Sequence, residues 1–143
     1  MTMLRTWRFI VIKGEARNKL GELFVEAMLP KTEKQKNKLL EAPLRAPMII
    51  VAVSAITEHS KVPAVEQISS VAAAVQNMSL AAHALGYASI WRTGAAAYSD
   101  DVKLGLDLKT SDEIVGLLYL GSSPYENISI PEINVEDHFE EWY

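Results

Sequence analysis

The chain has 143 residues, of which 49% are apolar and 22% charged, as is typical of one compact globular domain. It contains no cysteine, which excludes a thiol nucleophile, a disulfide framework and a cysteine-ligated zinc or iron–sulfur site. Its formal charge is −4, from 14 Lys and Arg against 18 Asp and Glu, whereas nucleic-acid binders usually carry a basic excess. The composition predicts a single domain, residues 1–143, that binds no nucleic acid.

The first predicted elements are a strand and an amphipathic helix. Residues 7–12 are rich in aromatic and β-branched side chains and stop before Gly14, which is typical of a buried strand that ends at a turn. A helix is predicted from Ala16 to Pro30, because its apolar residues recur at spacings of three and four. These residues are Ala16, Leu20, Leu23, Phe24 and Ala27.

A second, short helix is predicted after Thr32. Thr32 is followed three residues later by Gln35, the spacing of a capping box, and the helix ends at about Glu41, before Pro43. The segment carries four basic residues, Lys31, Lys34, Lys36 and Lys38. They could form a phosphate-binding patch, but Glu33 and Glu41 dilute the charge, and an ordinary solvated face is the preferred interpretation.

A central strand and a long helix follow. Residues 48–53 are apolar without alternation, as expected of a strand covered on both sides. The run is far shorter than the ~20 residues that cross a bilayer, and no signal peptide opens the chain, so a cytoplasmic protein without a membrane span is predicted. Residues 64–85 contain no Gly or Pro and many small residues, which predicts a central helix or a subunit interface.

The last third of the chain predicts two more strands, residues 87–92 and 114–120, with a short helix at about 101–106 between them. Strands and helices alternate, but the connections have unequal lengths. This pattern favours an α+β fold with a mixed central sheet flanked by helices over a regular doubly wound sheet. The tail, residues 122–143, is acidic and irregular, although Phe139, Trp142 and Tyr143 could dock it.

Residues for acid, base or metal chemistry are scattered. His59, His83 and His138 lie in different segments, so no metal site is predicted. Nucleophile-elbow, phosphate-loop and dinucleotide-binding motifs are absent from the sequence. Four carboxylates, Glu58, Glu66, Asp100 and Asp101, could pair in space, but solvation or helix-dipole roles are the simpler interpretation.

The remaining candidate is the loop after the third strand, Trp91, Arg92, Thr93 and Gly94. An arginine, a hydroxyl and a glycine at the end of a buried strand can hold a flat anionic cofactor through charge and backbone N–H groups. A structural alternative stays open. In it Trp91 fills core space and Arg92 pairs with a nearby carboxylate.

Five segments in this order resemble the small YdjA-like branch of the nitroreductase family, and together they extend over nearly the whole chain. They are residues 7–12 (WRFIVI), 42–47 (APLRAP), 62–67 (VPAVEQ), 86–94 (GYASIWRTG) and 114–121 (IVGLLYLG). The resemblance implies a homodimer with an α+β, nitroreductase-like fold. It also implies FMN at the subunit interface and hydride transfer from NADH or NADPH to nitro compounds, quinones or similar acceptors.

The resemblance also implies site residues. Trp91, Arg92 and Thr93 fall where the family's Trp-Arg-Ser contacts FMN, with Thr93 keeping the hydroxyl, and Gly94 would let the backbone approach the ring. The nicotinamide dinucleotide is implied at the end of the long helix, at Ala81, Ala82, His83, Ala84, Leu85 and Gly86. No residue is implied as catalytic, since FMN itself carries the chemistry.

The sequence departs from the family pattern at its start. The family opens with a helix whose Arg-Arg-Ser holds the FMN phosphate, and this sequence begins just before the first strand. Weak FMN binding and a nearly colourless protein are therefore expected, unless Arg5, Arg8 or Arg45 takes over the phosphate. Two alternatives remain: a non-catalytic dimeric interaction module derived from this fold, and a small-molecule hydrolase that uses scattered carboxylates.

Overall fold

The computed structural model describes residues 4–123 and 129–142. Its strands are β1 (Trp7–Lys13), β2 (Met48–Ser54), β3 (Ala88–Arg92) and β4 (Glu113–Gly121). Its α-helices are α1 (Ala16–Met28), α2 (Glu33–Glu41), α3 (Ala64–Ala84) and α4 (Asp100–Gly105). Short 3-10 helices occupy Ala42–Arg45, Ala95–Tyr98 and Val135–His138. Each predicted strand and helix is present, with bounds within a few residues of those expected.

The four strands form one sheet in the order β1-β2-β4-β3. The α+β class is confirmed, but every pairing among the described strands is antiparallel, so the mixed sheet predicted from sequence is wrong in this respect. β2 and β3 do run in the same direction, as a crossover through the single helix α3 allows. However, β4 lies between them and pairs antiparallel with both.

Each face of the sheet has its own core. On one face, α1, α4 and the segment after α2 cover a cluster that includes Ile49, Val51 and Leu117. On the other face, α3 packs Val71 and Val75 against the sheet. β2 and β4 are the central strands and are largely buried, whereas β1 is an edge strand with several exposed positions. The core therefore lies on both sides of β2 and β4.

Helix α2 is fixed in place at both of its ends. The predicted capping box is confirmed: the backbone N–H of Gln35 donates to the Thr32 hydroxyl at 3.2 Å, and the Gln35 side chain accepts from the Thr32 N–H at 3.3 Å. Near the other end, Gly21 of α1 lies against Leu40, where an added Cβ would be 2.8 Å from the Leu40 carbonyl oxygen. A glycine at position 21 thus lets α1 and α2 approach closely.

Helix α3 lies on the surface of the subunit. Its inward stripe buries Gln67, Val71, Val75 and Ala82, while outward residues such as Val65 and Leu80 are 65% and 58% exposed. The sheet covers only one side of α3. The helix is therefore not central within one subunit, which was one of the two predictions made from its small residues. In the parts of the chain that the structure describes, no helix is long and apolar enough to cross a membrane.

Two aromatic residues of the tail, Phe139 and Trp142, are exposed. Phe139 is 76% exposed and Trp142 is 99% exposed, although a 3-10 helix forms at Val135–His138. Tyr143, the third residue expected to dock the tail, lies outside the described residues. Docking of the tail onto its own subunit is therefore not observed for Phe139 and Trp142.

Candidate functional site

The predicted loop follows β3, where adjacent side chains face opposite sides of the sheet. Trp91 is opposite Leu118 of β4, and Arg92 is opposite Leu117. Leu118 belongs to the core under α3, and Leu117 belongs to the core under α1 and α4. The strand therefore directs Trp91 and Arg92 to different faces of the sheet.

Trp91 is held by the protein itself. Its indole N–H donates to the backbone carbonyl of Val115 at 3.2 Å. A Cβ added to Gly116 would lie 1.9 Å from the Trp91 Nε1 atom, so the indole occupies space that only a glycine leaves free. This contact supports the structural alternative for Trp91, because the side chain joins β3 to β4.

Arg92 lies on the other face, over an aromatic ring. Its guanidinium carbon is 6.0 Å from the centroid of the Tyr119 ring, a cation–π distance. Among the described residues the salt bridges are those of Lys103 with Asp100 and Glu113, and Arg92 has none. The carboxylate partner that the structural alternative gave to Arg92 is thus not found in the described structure.

Arg92, Thr93 and Gly94 line a pocket of about 830 Å³. The volume lies within the range of small-molecule sites, about 300–1,000 Å³. The pocket is bounded by α1, α2, the 3-10 helix Ala42–Arg45 and the end of β3. Its apolar wall includes Phe24, Met28, Leu39 and Leu117. The predicted loop therefore forms one side of a cavity with an apolar wall.

Among the described residues, the charged side chains that line the pocket are all basic. They are Lys31, Lys38, Arg45 and Arg92, and none of the lining residues is Asp or Glu. The lysine run of α2 was expected to be an ordinary solvated face. Its lysines are exposed as expected, but Lys31 and Lys38 also border the pocket, whereas Lys34 and Lys36 do not. Two of the four lysines therefore border the pocket, and the other two face solvent away from it.

Tyr119 lies on β4 at the wall of this pocket and is 8% exposed. Burial raises the pKa of its phenol above the ordinary value of 10.0, while the positive charges of Arg92 and Arg45 oppose the rise. The phenol therefore stays protonated at neutral pH and can donate a hydrogen bond. Arg92 and Arg45, from distant parts of the chain, thus act electrostatically on the same phenol.

The backbone next to Arg92 adopts a glycine conformation. Gly94 has φ 74° and ψ 178°, a region in which side chains are strained. In the described structure, Thr93 and Gly94 belong to no helix or strand, and their N–H groups donate no backbone hydrogen bond. Both residues line the pocket, and the contact of their N–H groups with a cofactor stays a prediction.

Residues 81–86 lie elsewhere. They form the end of α3 and the turn into β3, where Gly86 has φ 82° and the Tyr87 N–H donates to the Ala82 carbonyl at 2.9 Å. None of them lines the pocket. About 20 Å of extended chain separates Gly86 from Arg92. Within one subunit, the structure does not bring the two predicted parts of the site together.

The scattered acid and base candidates form no site. The His59 Nδ1 atom accepts from the backbone N–H groups of Lys61 and Val62, each at 3.1 Å, and so shapes a turn. Asp100 pairs with Lys103 at 3.5 Å. No group of three or more His, Asp or Glu residues in the described ranges could hold a metal ion.

Among the pocket residues, Tyr119 is not predicted as a site residue from the sequence. Lys31 and Lys38 are considered there only as part of a possible phosphate patch, for which a solvated face is preferred, and Arg45 only for phosphate. The sequence offers a signal for Lys31 and Lys38, which belong to the lysine run around α2, whereas Arg45 lies in the 3-10 helix after α2. Tyr119 carries no such signal, since it lies within an unbroken apolar strand.

The family model of the nitroreductase family matches residues 1–122. The chain belongs to the nitroreductase family. It is also 37% identical, over 94% of its length and 73% of the relative's, to a protein of Escherichia coli (strain K12) named "Putative NAD(P)H nitroreductase YdjA". Membership of this family makes the chain an oxidoreductase.

Solved structures of the family have the same fold. The nitroreductase-like family protein from Bacillus cereus matches with a TM-score of 0.80 at 22% identity, over 96% of this chain and 73% of that one. The FMN-dependent nitroreductase NfnB from Mycobacterium smegmatis, in complex with NADPH, matches with a TM-score of 0.70 at 16% identity, over 96% and 79% of the two chains. These similarities confirm the nitroreductase fold.

Proposed function

We propose that this protein binds FMN and passes a hydride from NADH or NADPH, through the flavin, to small acceptors such as nitro compounds or quinones. The observation that carries the proposal is the pocket in which Arg92, Thr93 and Gly94 meet an apolar wall and a set of basic side chains. Family membership and the FMN-dependent NfnB of the same fold support it.

The residues of the pocket fit an FMN molecule. A flat aromatic ring system requires an apolar wall, which Leu39 and Leu117 help to form. The polar edge of the ring requires hydrogen-bond donors, which the N–H groups of Thr93 and Gly94 can supply. Its phosphate requires cations, and the pocket has four basic side chains with no acidic lining residue. The cavity thus offers a partner to each part of FMN.

FMN, when bound, supplies the hydride chemistry. The protein's own contribution is positioning and electrostatics. Arg92 places a positive charge beside the cavity and is held over Tyr119. Gly94 presents its backbone without a side chain, and the apolar wall borders the same cavity. Positive charge at this position would stabilise negative charge that develops on a bound electron acceptor.

We also propose that the protein is a homodimer joined through the outer face of α3. The exposed Val65 and Leu80 on that helix, and Leu85 at its end with 74% exposure, are apolar residues that a second copy could cover. The nicotinamide dinucleotide at residues 81–86 stays a prediction, since those residues lie away from the pocket of their own subunit.

A ligand titration tests the proposal. FMN added in excess to the purified chain is expected to raise the melting temperature by mass action and to lose fluorescence as it binds. A matched titration with a colourless anion of similar charge, such as ribose 5-phosphate, controls for charge alone and is expected to have a smaller effect. If FMN neither raises the melting temperature nor binds, the flavin proposal fails, and the non-catalytic interaction module replaces it.

A further inference from the structure

The turn between α1 and α2, residues 28–31, borders the pocket. Four consecutive residues of this α1–α2 turn line the cavity, namely Met28, Leu29, Pro30 and Lys31. Leu29 is also 77% exposed, and an apolar residue that lines a cavity and is largely exposed lies at its mouth. Apolar surface at the mouth of a pocket is typical of a place where a ligand contacts the protein.

Leu29 has a backbone conformation that is unusual for a residue with a side chain. Its φ is 46° and its ψ is 60°, in the left-handed region that glycine usually provides at the end of a helix. Its N–H donates to the Val25 carbonyl at 3.1 Å, so the last turn of α1 fixes this backbone. A glycine would avoid the strain but would offer no side chain to a ligand. The strained leucine therefore indicates a functional role for its apolar surface at the pocket.

Lys31 places a positive charge beside this apolar surface. Its backbone N–H donates to the Gln35 Oε1 atom at 2.9 Å, and the same oxygen accepts from the Thr32 N–H in the capping box. The start of α2 thus fixes the Lys31 backbone, although Lys31 itself is exposed. The salt bridges of the described residues are those of Lys103, so Lys31 has no carboxylate partner among them.

The positive charge of the pocket exceeds the charge that FMN would neutralise. Four basic residues line the cavity, and none of the lining residues is Asp or Glu. A phosphomonoester has about two negative charges at neutral pH. A cavity that holds FMN therefore keeps positive charge, which favours a second ligand that is an anion. Lys31 brings part of this charge to the mouth of the pocket, next to Leu29.

We propose that the α1–α2 turn selects the electron acceptor, and that the preferred acceptors are flat, apolar molecules that have a carboxylate or another anionic group. The inference rests on the proposed flavin function and adds the substrate class to it. Met28 and Leu29 contact the apolar part of the acceptor, and the ammonium group of Lys31 pairs with its anionic group. A neutral acceptor of the same shape keeps the first contact and loses the second, so charge decides between them.

The test compares 4-nitrobenzoate with 4-nitrobenzamide, which have nearly the same shape and differ by one negative charge. Reduction in the presence of FMN and either NADH or NADPH gives kcat/KM for each acceptor. Lys31→Gln is expected to lower kcat/KM for 4-nitrobenzoate by about fivefold, the effect of losing one exposed ion pair, and to leave that for 4-nitrobenzamide unchanged. Because the ratio of the two acceptors is compared between variants, the difference in their intrinsic reactivity cancels.

Calorimetric titration without NADH or NADPH measures binding apart from turnover. With or without FMN, the wild-type chain is expected to bind 4-nitrobenzoate about fivefold more tightly than 4-nitrobenzamide. Lys31→Gln is expected to remove this preference, and Lys31→Arg, which keeps the charge, to retain most of it. Lys34→Gln is the matched control, because Lys34 belongs to the same segment and does not line the pocket.

Leu29 is tested by two substitutions that remove the same apolar surface. Leu29→Ala and Leu29→Gly are each expected to raise the KM of both acceptors by about threefold without changing their ratio. Leu29→Gly also permits the left-handed backbone, so it should melt at a higher temperature than Leu29→Ala. If both variants keep the wild-type KM, Leu29 does not contact the acceptor and its part of the proposal is wrong.

The outcomes separate this inference from the proposed function. An acceptor ratio that is the same in the wild type and in Lys31→Gln overturns the inference and leaves the flavin function standing. A defect of Lys31→Gln that is confined to reduction by NADPH assigns the charge to the nucleotide and also overturns the inference. Lys31-dependent binding of 4-nitrobenzoate to a chain that binds no FMN supports the anion selectivity of the turn and overturns the flavin function.

Discussion

At the scale of single residues, Trp91 and Arg92 are neighbours with different roles. Trp91 occupies the space above Gly116 and donates a hydrogen bond to the Val115 carbonyl, so its indole attaches β3 to β4 beyond the backbone pairing. Arg92 points to the opposite face and lies over Tyr119. The first residue fixes the strand, and the second is free to contact a ligand.

Arg92→Ala is expected to weaken FMN binding by about tenfold, because it removes one charge-assisted contact. The fold should be unaffected, since Arg92 is exposed and has no carboxylate partner in the described structure. Fluorescence titration measures the affinity and thermal unfolding measures the stability. Arg92→Lys is the matched control and should lose less. A large fall in melting temperature with unchanged FMN affinity would show that Arg92 has a structural role.

At the scale of elements, the position of α2 depends on its contact with α1. Gly21→Ala would place a methyl group 2.8 Å from the Leu40 carbonyl oxygen, which is closer than van der Waals contact allows. Relieving such overpacking costs about 1–3 kcal/mol of unfolding free energy and pushes α2, with Lys38, away from its present position.

Denaturant unfolding of Gly21→Ala measures this cost, and the FMN titration measures the effect on the pocket. Glu22→Ala, at the exposed neighbouring position, should change the unfolding free energy by less than about 0.5 kcal/mol. An unfolding free energy of Gly21→Ala equal to that of the wild type would mean that α1 and α2 are not held at this distance.

The elements themselves were largely predictable because their signals are local. The capping residue Thr32, the apolar run of β2 and the helical spacing in α3 each act within a few residues. The direction of pairing was not predictable, because whether β4 enters the sheet between β2 and β3 is decided by packing between distant segments. The pocket was missed for the same reason, since Arg45 and Arg92 are far apart in sequence and meet only through the fold.

At the scale of the whole molecule, apolar surface remains on the outer side of α3. Leu80 is 58% exposed and Leu85 is 74% exposed, and a dimer interface of about 2,000 Å² or more would cover them. Leu80→Glu would place a charge at the centre of that interface. The proposed homodimer therefore depends on this face of the helix.

Sedimentation of the wild-type chain at micromolar concentration is expected to give a dimer, and Leu80→Glu is expected to shift it towards the monomer. Gln76→Glu adds the same charge at another exposed position of α3. A larger dimer fraction for Gln76→Glu than for Leu80→Glu would show that loss of the apolar contact, and not the added charge, weakens the dimer. A wild-type chain that sediments as a monomer is incompatible with this proposal.

The chain as a whole is acidic, yet its pocket is basic. The pocket is therefore expected to attract anionic ligands, which the rest of the surface repels.

The central claim, that this pocket holds a flavin that NADH or NADPH can reduce, is tested most directly by anaerobic reduction. The chain is mixed with FMN and then with NADH or NADPH, and the loss of visible flavin absorbance is followed over time. The account predicts that the reduction rate rises with the amount of flavin bound to the wild-type chain and falls in Arg92→Ala. A rate equal to that of free FMN under the same conditions would contradict it.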